Sequence, residues 1–139
     1  MTTAEELWNL PRAALRERMR HGHRVEVEQV ADLSFRGTSL GMPAFVDRLA
    51  WKTFRKCLVR DGDVVRGWNV RLEQTGLRGP SVPMRRNGRP VAFGHFEVVR
   101  GDAPPFGLSD VLLLDDGRGG NPQLDPTRLV RDPIIAVNE

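Results

Sequence analysis

The sequence feature that most constrains the fold is a regular alternation of apolar and polar side chains between Arg66 and Thr75. Its six central residues run in the order Trp68, Asn69, Val70, Arg71, Leu72 and Glu73. Successive side chains of a strand point to opposite faces, so a period of two residues predicts a strand with one buried face. Because Asp61-Gly62 precedes this strand, the pattern also predicts a hairpin that pairs residues 50–60 with residues 64–75.

Helix and loop signals organise the chain before this hairpin. Thr3 and Glu6 have capping-box spacing, which predicts one kinked helix or two short helices over residues 3–21. Apolar residues at odd positions predict a strand over residues 25–35. The next two segments are predicted as a glycine-punctuated loop and a helical turn, at residues 36–43 and 44–49.

Short strands separated by Gly and Pro are predicted after the hairpin. Their bounds are 82–86, 91–100, 108–115 and 134–137. Asn87-Gly88 is a favoured tight-turn pair and should join the first two of them. Strand 91–100 is apolar on both faces, which indicates burial on both sides. A flexible glycine-rich loop is expected over residues 115–122, and Asp125-Pro126 suits the start of a helix that Pro133 would end.

Length and composition favour one small domain built mainly from sheet. The 139 residues provide for a single core over residues 1–139, and the 14 Gly and 10 Pro imply many chain reversals. We therefore predict an α+β, mainly β fold: an antiparallel barrel of six to eight short strands, with the N-terminal helical segment packed on it.

Charge and cysteine content exclude several classes of function. The net charge is +3, but the arginines are scattered among 18 acidic residues, so no nucleic-acid partner is predicted. Cys57 is the only cysteine, which rules out an internal disulfide and favours a reducing compartment. Met1 to Leu10 contains neither a signal-like nor a membrane-spanning apolar run. We accordingly expect a cytoplasmic protein with no membrane partner.

A ligand pocket inside the barrel is the main candidate site. Aromatic walls with a few polar groups are typical of small-molecule pockets, although the same side chains would serve equally well in a filled core. The residues predicted to bind the ligand are Trp51, Phe54, Trp68, Val70, Arg71, Phe93 and His95. Arg71 or Lys52 would meet an acidic group at the mouth of the pocket.

His95 is the one candidate for catalysis, because it lies in mid-strand beside Gly94 and titrates near neutral pH. Proton transfer would require a partner such as Glu73 or Glu97, and the alternative is a purely structural histidine. Neither the histidines nor Asp115-Asp116 have the spacing of a metal site. The sequence therefore predicts no metal and no cofactor.

Three segments resemble those of a known protein group. They are Arg36-Gly37-Thr38-Ser39-Leu40-Gly41, Leu49 to Phe54, and Arg66-Gly67-Trp68-Asn69. Over residues 33–99 the chain is similar to small bacterial lipocalin-like barrel proteins, including uncharacterised domains named for a Gly-x-Trp-x-Gly motif. Here Gly67 is directly followed by Trp68, and no glycine lies two residues beyond, so no residue role is carried over. The resemblance implies an antiparallel barrel of the type that often holds an apolar ligand.

Three functional hypotheses follow from this sequence. The first is a non-catalytic protein that binds a small hydrophobic molecule in a lipocalin-like cavity. The second is an isomerase or cyclase that uses the same cavity with His95 as acid or base. The third is a protein-interaction module in which the last strand is an open sheet edge, an arrangement that would also allow a homodimer.

Overall fold

The computed structural model describes residues 1–40 and 52–138, and two short helices open the chain. Helix α1 spans Ala4–Trp8 and helix α2 spans Arg12–Arg20. Thr3 and Glu6 form the predicted capping box at the start of α1. No residue of either helix is buried. The prediction of two short helices is confirmed, but they lie at the periphery and bury no residue against the sheet.

The described part of the chain contains nine strands, and the fold is mainly β. Their bounds are β1 His23–Arg24, β2 Ser34–Thr38, β3 Thr53–Asp61, β4 Val64–Arg71, β5 Arg85–Arg86, β6 Arg89–Pro90, β7 Ala92–Ala103, β8 Leu108–Asp115 and β9 Arg131–Ala136. Seven of them form one antiparallel sheet in the order β1-β9-β8-β7-β4-β3-β2. Strands β5 and β6 form a separate two-stranded ribbon.

Both predicted tight turns are present, but Asn87-Gly88 joins two-residue strands instead of the predicted strands 82–86 and 91–100. Gly62 and Asp63 connect β3 to β4, and the positive φ of Gly62 suits the first central position of such a turn. Asn87 and Gly88 connect β5 to β6, and both have positive φ, as a type I′ turn requires. Strand β8 has the bounds expected from the sequence.

Three predicted elements differ from the structure. Residues 25–35 are not one strand: they contain a turn of 3-10 helix at Val27–Gln29, and β2 begins only at Ser34 and continues through the predicted loop to Thr38. The predicted helix after Asp125-Pro126 is a single 3-10 turn, Pro126–Leu129. Pro133 lies inside β9 instead of ending a helix. The predicted helical turn at 44–49 lies outside the described residues.

The two faces of the sheet bury different sets of side chains. The inner face is defined here by Phe54, Lys56 and Leu58 of β3, and the outer face by the residues that alternate with them. The inner core consists of Val25, Val30, Leu58, Val65, Phe96, Leu112 and Leu114, and the outer cluster of Ala103, Val111 and Leu113. Strand β8 contributes alternately to both clusters, which explains its unbroken apolar run.

A bulge in β7 determines how β4 and β7 align. Gly67 pairs with Phe96, whereas Asn69 pairs with Phe93, so β7 has one more residue than β4 in this interval. Gly94, at the bulge, has a φ of 55°. Glycine is suited to this conformation because it has no Cβ, and the bulge re-aims the side chains that follow it.

Among the described residues, no helix is long and apolar enough to cross a membrane.

Candidate functional site

A cavity of about 740 Å³ opens on the inner face of the sheet. Its lining comes from strands at opposite ends of the sheet order, with Phe35 and Gly37 of β2, Phe54 and Lys56 of β3, and Ile134 and Ala136 of β9. The sheet must therefore curve so that its two ends face the same space. Val25, Val30 and Met19 from the N-terminal segment line the cavity as well. Its wall is mainly apolar, and its volume is in the range of small-molecule sites.

Lys56 places an amine in this apolar wall. Its Nζ lies 4.6 Å from the centre of the Phe96 ring and 5.6 Å from the centre of the Phe54 ring. None of the hydrogen bonds or ion pairs described for residues 1–40 and 52–138 involves this Nζ. Burial lowers the pKa of Lys56, and the negative charges of Asp132 and Asp116 oppose this effect in part.

Asp132 of β9 also lines the cavity, at its rim, where it keeps contact with solvent. Desolvation raises the pKa of this carboxyl group, and the positive charge of Lys56 opposes the increase. The amine of Lys56 and the carboxyl group of Asp132 thus act on each other electrostatically. The cavity has an acid and a base in an otherwise apolar lining.

Asp116 is a second carboxyl group that interacts with Lys56. It is buried at the end of β8, where desolvation and then repulsion from Asp132 raise its pKa to about 6, against the attraction of Lys56. Such a carboxyl group changes charge close to neutral pH. Lys56 thus interacts electrostatically with one buried carboxyl group, Asp116, and with one at the protein surface, Asp132.

Asn69 is the cross-strand neighbour of Lys56 in the β3–β4 pair. Its side-chain nitrogen donates to the carbonyl oxygen of Gly94 at 3.0 Å and contacts that of Phe93 at 3.4 Å. Its Oδ1 is buried and has no hydrogen-bond partner among the described residues. A buried acceptor without a donor costs free energy, so this position would gain from a donor supplied by a ligand.

The structure divides the predicted ligand-binding residues between the two faces. Phe54 lines the cavity, and Arg71 and Phe93 occupy inner-face positions beyond its lining, with the Arg71 guanidinium 5.6 Å from the centre of the Phe93 ring. Trp68 and Val70 pair with Cys57 and Arg55, which places them on the outer face. Trp51 lies outside the described residues.

Trp68 and Val70, which were predicted to bind the ligand, therefore lie on the face of the sheet away from the cavity. A segment after β4 contacts these strands: the Arg55 guanidinium donates to the carbonyl oxygen of Ser81 at 3.0 Å, and Leu72 forms a bridge with Pro83. Val70 and Leu72 are buried. The alternation correctly indicated an apolar face, but this face is not the one that lines the cavity.

His95 lies just after the bulge and is exposed. It borders an outer groove with Trp68, Arg66 and Gly119, away from the cavity. No hydrogen bond or ion pair described in the structure involves its imidazole, and Glu97 faces Arg66 and Arg118. The carboxylate partner that the catalytic hypothesis requires for His95 is thus not found among the described contacts.

Sequence reasoning missed Lys56 and Asp132, although a signal for both was present. Phe54, Lys56 and Leu58 are alternate residues of one strand, so their side chains share a face. The same holds for Asp132, Ile134 and Ala136. A single charged residue within an inward-facing apolar row is costly to bury, so it marks a functional candidate. The predicted strands 50–60 and 134–137 differ in their bounds from β3 and β9, and the second of them does not include Asp132.

Within residues 1–40 and 52–138, no group of three or more His, Cys, Asp or Glu side chains is arranged to hold a metal ion. Comparison with known proteins gives no match to a family model, to a curated protein or to a solved structure. The geometry of the site is thus the basis for a functional proposal.

Proposed function

We propose that this protein is a non-catalytic binder of a small hydrophobic molecule, held on the inner face of a lipocalin-like antiparallel barrel. The observation that carries the proposal is the apolar cavity of about 740 Å³ lined by both ends of the curved sheet. Cavities of this size bury most of the surface of a small ligand, and burial of apolar surface provides the affinity. The proposal includes a cytoplasmic location, since the only cysteine, Cys57, forms no internal disulfide.

Neither alternative function gains a specific supporting observation. The isomerase or cyclase hypothesis depends on His95, which lies outside the cavity. The interaction hypothesis expected an open edge at residues 134–137, but β9 lies between β8 and β1, and Ile135 and Ala136 pair with β1. Pairing with a second copy of the chain stays a prediction.

Binding of a neutral apolar probe tests the proposal. N-phenyl-1-naphthylamine becomes fluorescent in apolar surroundings, and we expect saturable binding to the purified protein. The variant Ala136→Trp adds a large side chain to the cavity wall and should weaken binding at least tenfold. Leu124→Trp is the matched control, because Leu124 is 97% exposed and lies outside the cavity lining, and it should bind the probe as the original protein does.

Probe fluorescence is the chosen readout, because neither of the tryptophans that the structure describes, Trp8 and Trp68, lines the cavity. Far-UV circular dichroism should show the same strand content in both variants and in the original protein. The proposal would be abandoned if the original protein did not bind the probe, or if a folded Ala136→Trp variant bound it with unchanged affinity.

A further inference from the structure

The amine of Lys56 has no role in purely apolar binding, and burying part of a lysine in a cavity wall is costly. We propose that Lys56 captures an apolar aldehyde by forming an imine with its carbonyl group inside the cavity. This inference rests on the proposed function, since it assigns a chemical class to the ligand of the same site. It adds a covalent step that apolar binding alone does not require.

The position of the amine supports this assignment. Lys56 lies in the middle of β3, and its Nζ is held over two phenyl rings without a described hydrogen bond or ion pair. An amine that is committed to a carboxylate would have to break that bond before it could attack a carbonyl carbon. Lys56 also belongs to the lining of the cavity that an apolar ligand would occupy.

Burial shifts the amine of Lys56 toward its reactive form, while the negative charges of Asp132 and Asp116 act in the opposite direction. Only the neutral amine has the lone pair needed for attack, and desolvation shifts lysine toward that form. The lowered pKa of Lys56 agrees with this direction. Nucleophilic lysines are activated in the same way in apolar pockets.

The reaction balances without an oxidant or a reductant. The Nζ lone pair attacks the carbonyl carbon, and proton transfer from nitrogen to oxygen gives a carbinolamine. The hydroxyl group then accepts a proton and leaves as water, while the nitrogen loses its remaining proton and forms the C=N bond. One amine and one aldehyde yield one imine and one water. Solvent water or a carboxyl group can carry these protons, and Asp132 is a carboxyl group in the same lining.

The charges near Lys56 favour an aldehyde over a carboxylic acid. Asp132 and Asp116 place negative charge near the amine, which disfavours an anionic ligand.

The chain provides a natural internal control, because Lys52 and Lys56 are its only lysines. The full-length protein is incubated with decanal and sodium cyanoborohydride, which reduces an imine to a stable secondary amine. Intact mass spectrometry counts the added decyl groups, and peptide mapping locates them. We expect one rapid addition at Lys56, at least tenfold faster than addition at Lys52 or at the N-terminal amine.

Two variants and a competitor sharpen the test. Lys56→Arg keeps a positive charge but has no nucleophilic amine, so the rapid addition should disappear. Lys52→Arg should retain it, because Lys52 does not line the cavity and its Nζ lies 4.3 Å from the centre of the Trp8 ring. Decanol has a chain of the same length and no carbonyl group, and it should slow the addition by competing for the cavity. The comparison of Lys56 with Lys52 in the original protein requires no variant to fold.

The outcomes separate failure of the imine proposal from failure of the proposed function. If N-phenyl-1-naphthylamine binds and decanal displaces it, but Lys56 reacts no faster than Lys52, the imine proposal is overturned and the binding function stands. If decanoic acid displaces the probe much better than decanal, the imine proposal is overturned, and the ligand is instead a carboxylate that forms an ion pair with Lys56. If neither the probe nor decanal binds, both proposals are overturned.

Discussion

Gly67 shows how tightly the inner core constrains a single residue. It lies in β4 opposite Phe96 on one side and Leu58 on the other. A methyl group at this position would overlap the carbonyl oxygen of Cys57 and the ring of Phe96, whose Cε2 would be 2.6 Å away. Phe96 is only 1% exposed, so its ring has no space into which it can move. Residue 67 must therefore be glycine for the core to pack in this way.

We expect Gly67→Ala to reduce the free energy of unfolding by about 1–3 kcal/mol, because overpacking a filled core forces its neighbours to shift. Urea denaturation measures the change. The matched control is Gly101→Ala in β7, where a methyl group would contact only the flexible end of Leu113, at 3.2 Å. A loss at Gly101 as large as the loss at Gly67 would contradict this account of the core.

The segment that follows β8 shows how one element is fixed onto another. Its sequence predicted a flexible glycine-rich loop, but Asp116–Arg118 form a 3-10 turn, and Asp116 and Asn121 are buried. Asn121 Oδ1 accepts from the His95 amide at 2.9 Å, and its Nδ2 donates to the carbonyl oxygens of His95 at 2.6 Å and Asp116 at 2.9 Å. Asn121 thereby holds this segment against the bulge of β7.

We expect Asn121→Asp to reduce the free energy of unfolding by about 2–4 kcal/mol. A carboxylate has no N–H, so it would place an acceptor against two carbonyl oxygens that are now hydrogen-bonded, in a buried position. Chemical denaturation monitored by circular dichroism gives the value. Asn138→Asp is the control, since Asn138 is exposed and bonds only to Thr2. Equal losses in the two variants would show that Asn121 does not fix the segment.

Across the whole molecule, the interior charges make stability depend on pH. Asp116 has a pKa of about 6 in the folded protein and an ordinary value of 3.8, so folding favours its protonated form. Well below pH 3.8 the group is neutral in both states and costs nothing. As the pH rises from about 4 to 6, the unfolded chain ionises first and the folded state becomes relatively less stable. The pKa of Asp132 is raised in the same direction.

We therefore expect ionisation of Asp116 to lower the free energy of unfolding by about 2–3 kcal/mol between pH 4 and pH 6.5. Urea denaturation across that pH range measures the change. Asp116→Asn should flatten this dependence and raise the stability at pH 7. Asp125→Asn is a control of opposite sign, because hydrogen bonds from Thr127 lower the pKa of Asp125 and its charge favours the folded state. A pH profile unchanged by Asp116→Asn would contradict the prediction.

The sequence by itself determined the local structure. The capping box at Thr3, the turns at Gly62 and Asn87-Gly88, and strand β8 all follow from residues close together in the chain. Turn geometry and helix starts depend on the conformational preferences of a few neighbouring residues, so these signals suffice. The same signals misplaced β2, since a 3-10 turn at Val27–Gln29 interrupts the apolar pattern before it.

Only the tertiary structure decided which face of each strand lines the cavity. The period of two residues groups the side chains of a strand but does not say which group faces inward. That choice depends on the pairing of strands distant in sequence and on the bulge in β7. Of the predicted ligand-binding residues, Phe54 lies in the cavity lining. Lys56 and Asp132 line the same cavity only because β3 and β9, each one strand in from opposite edges of the sheet, border one space.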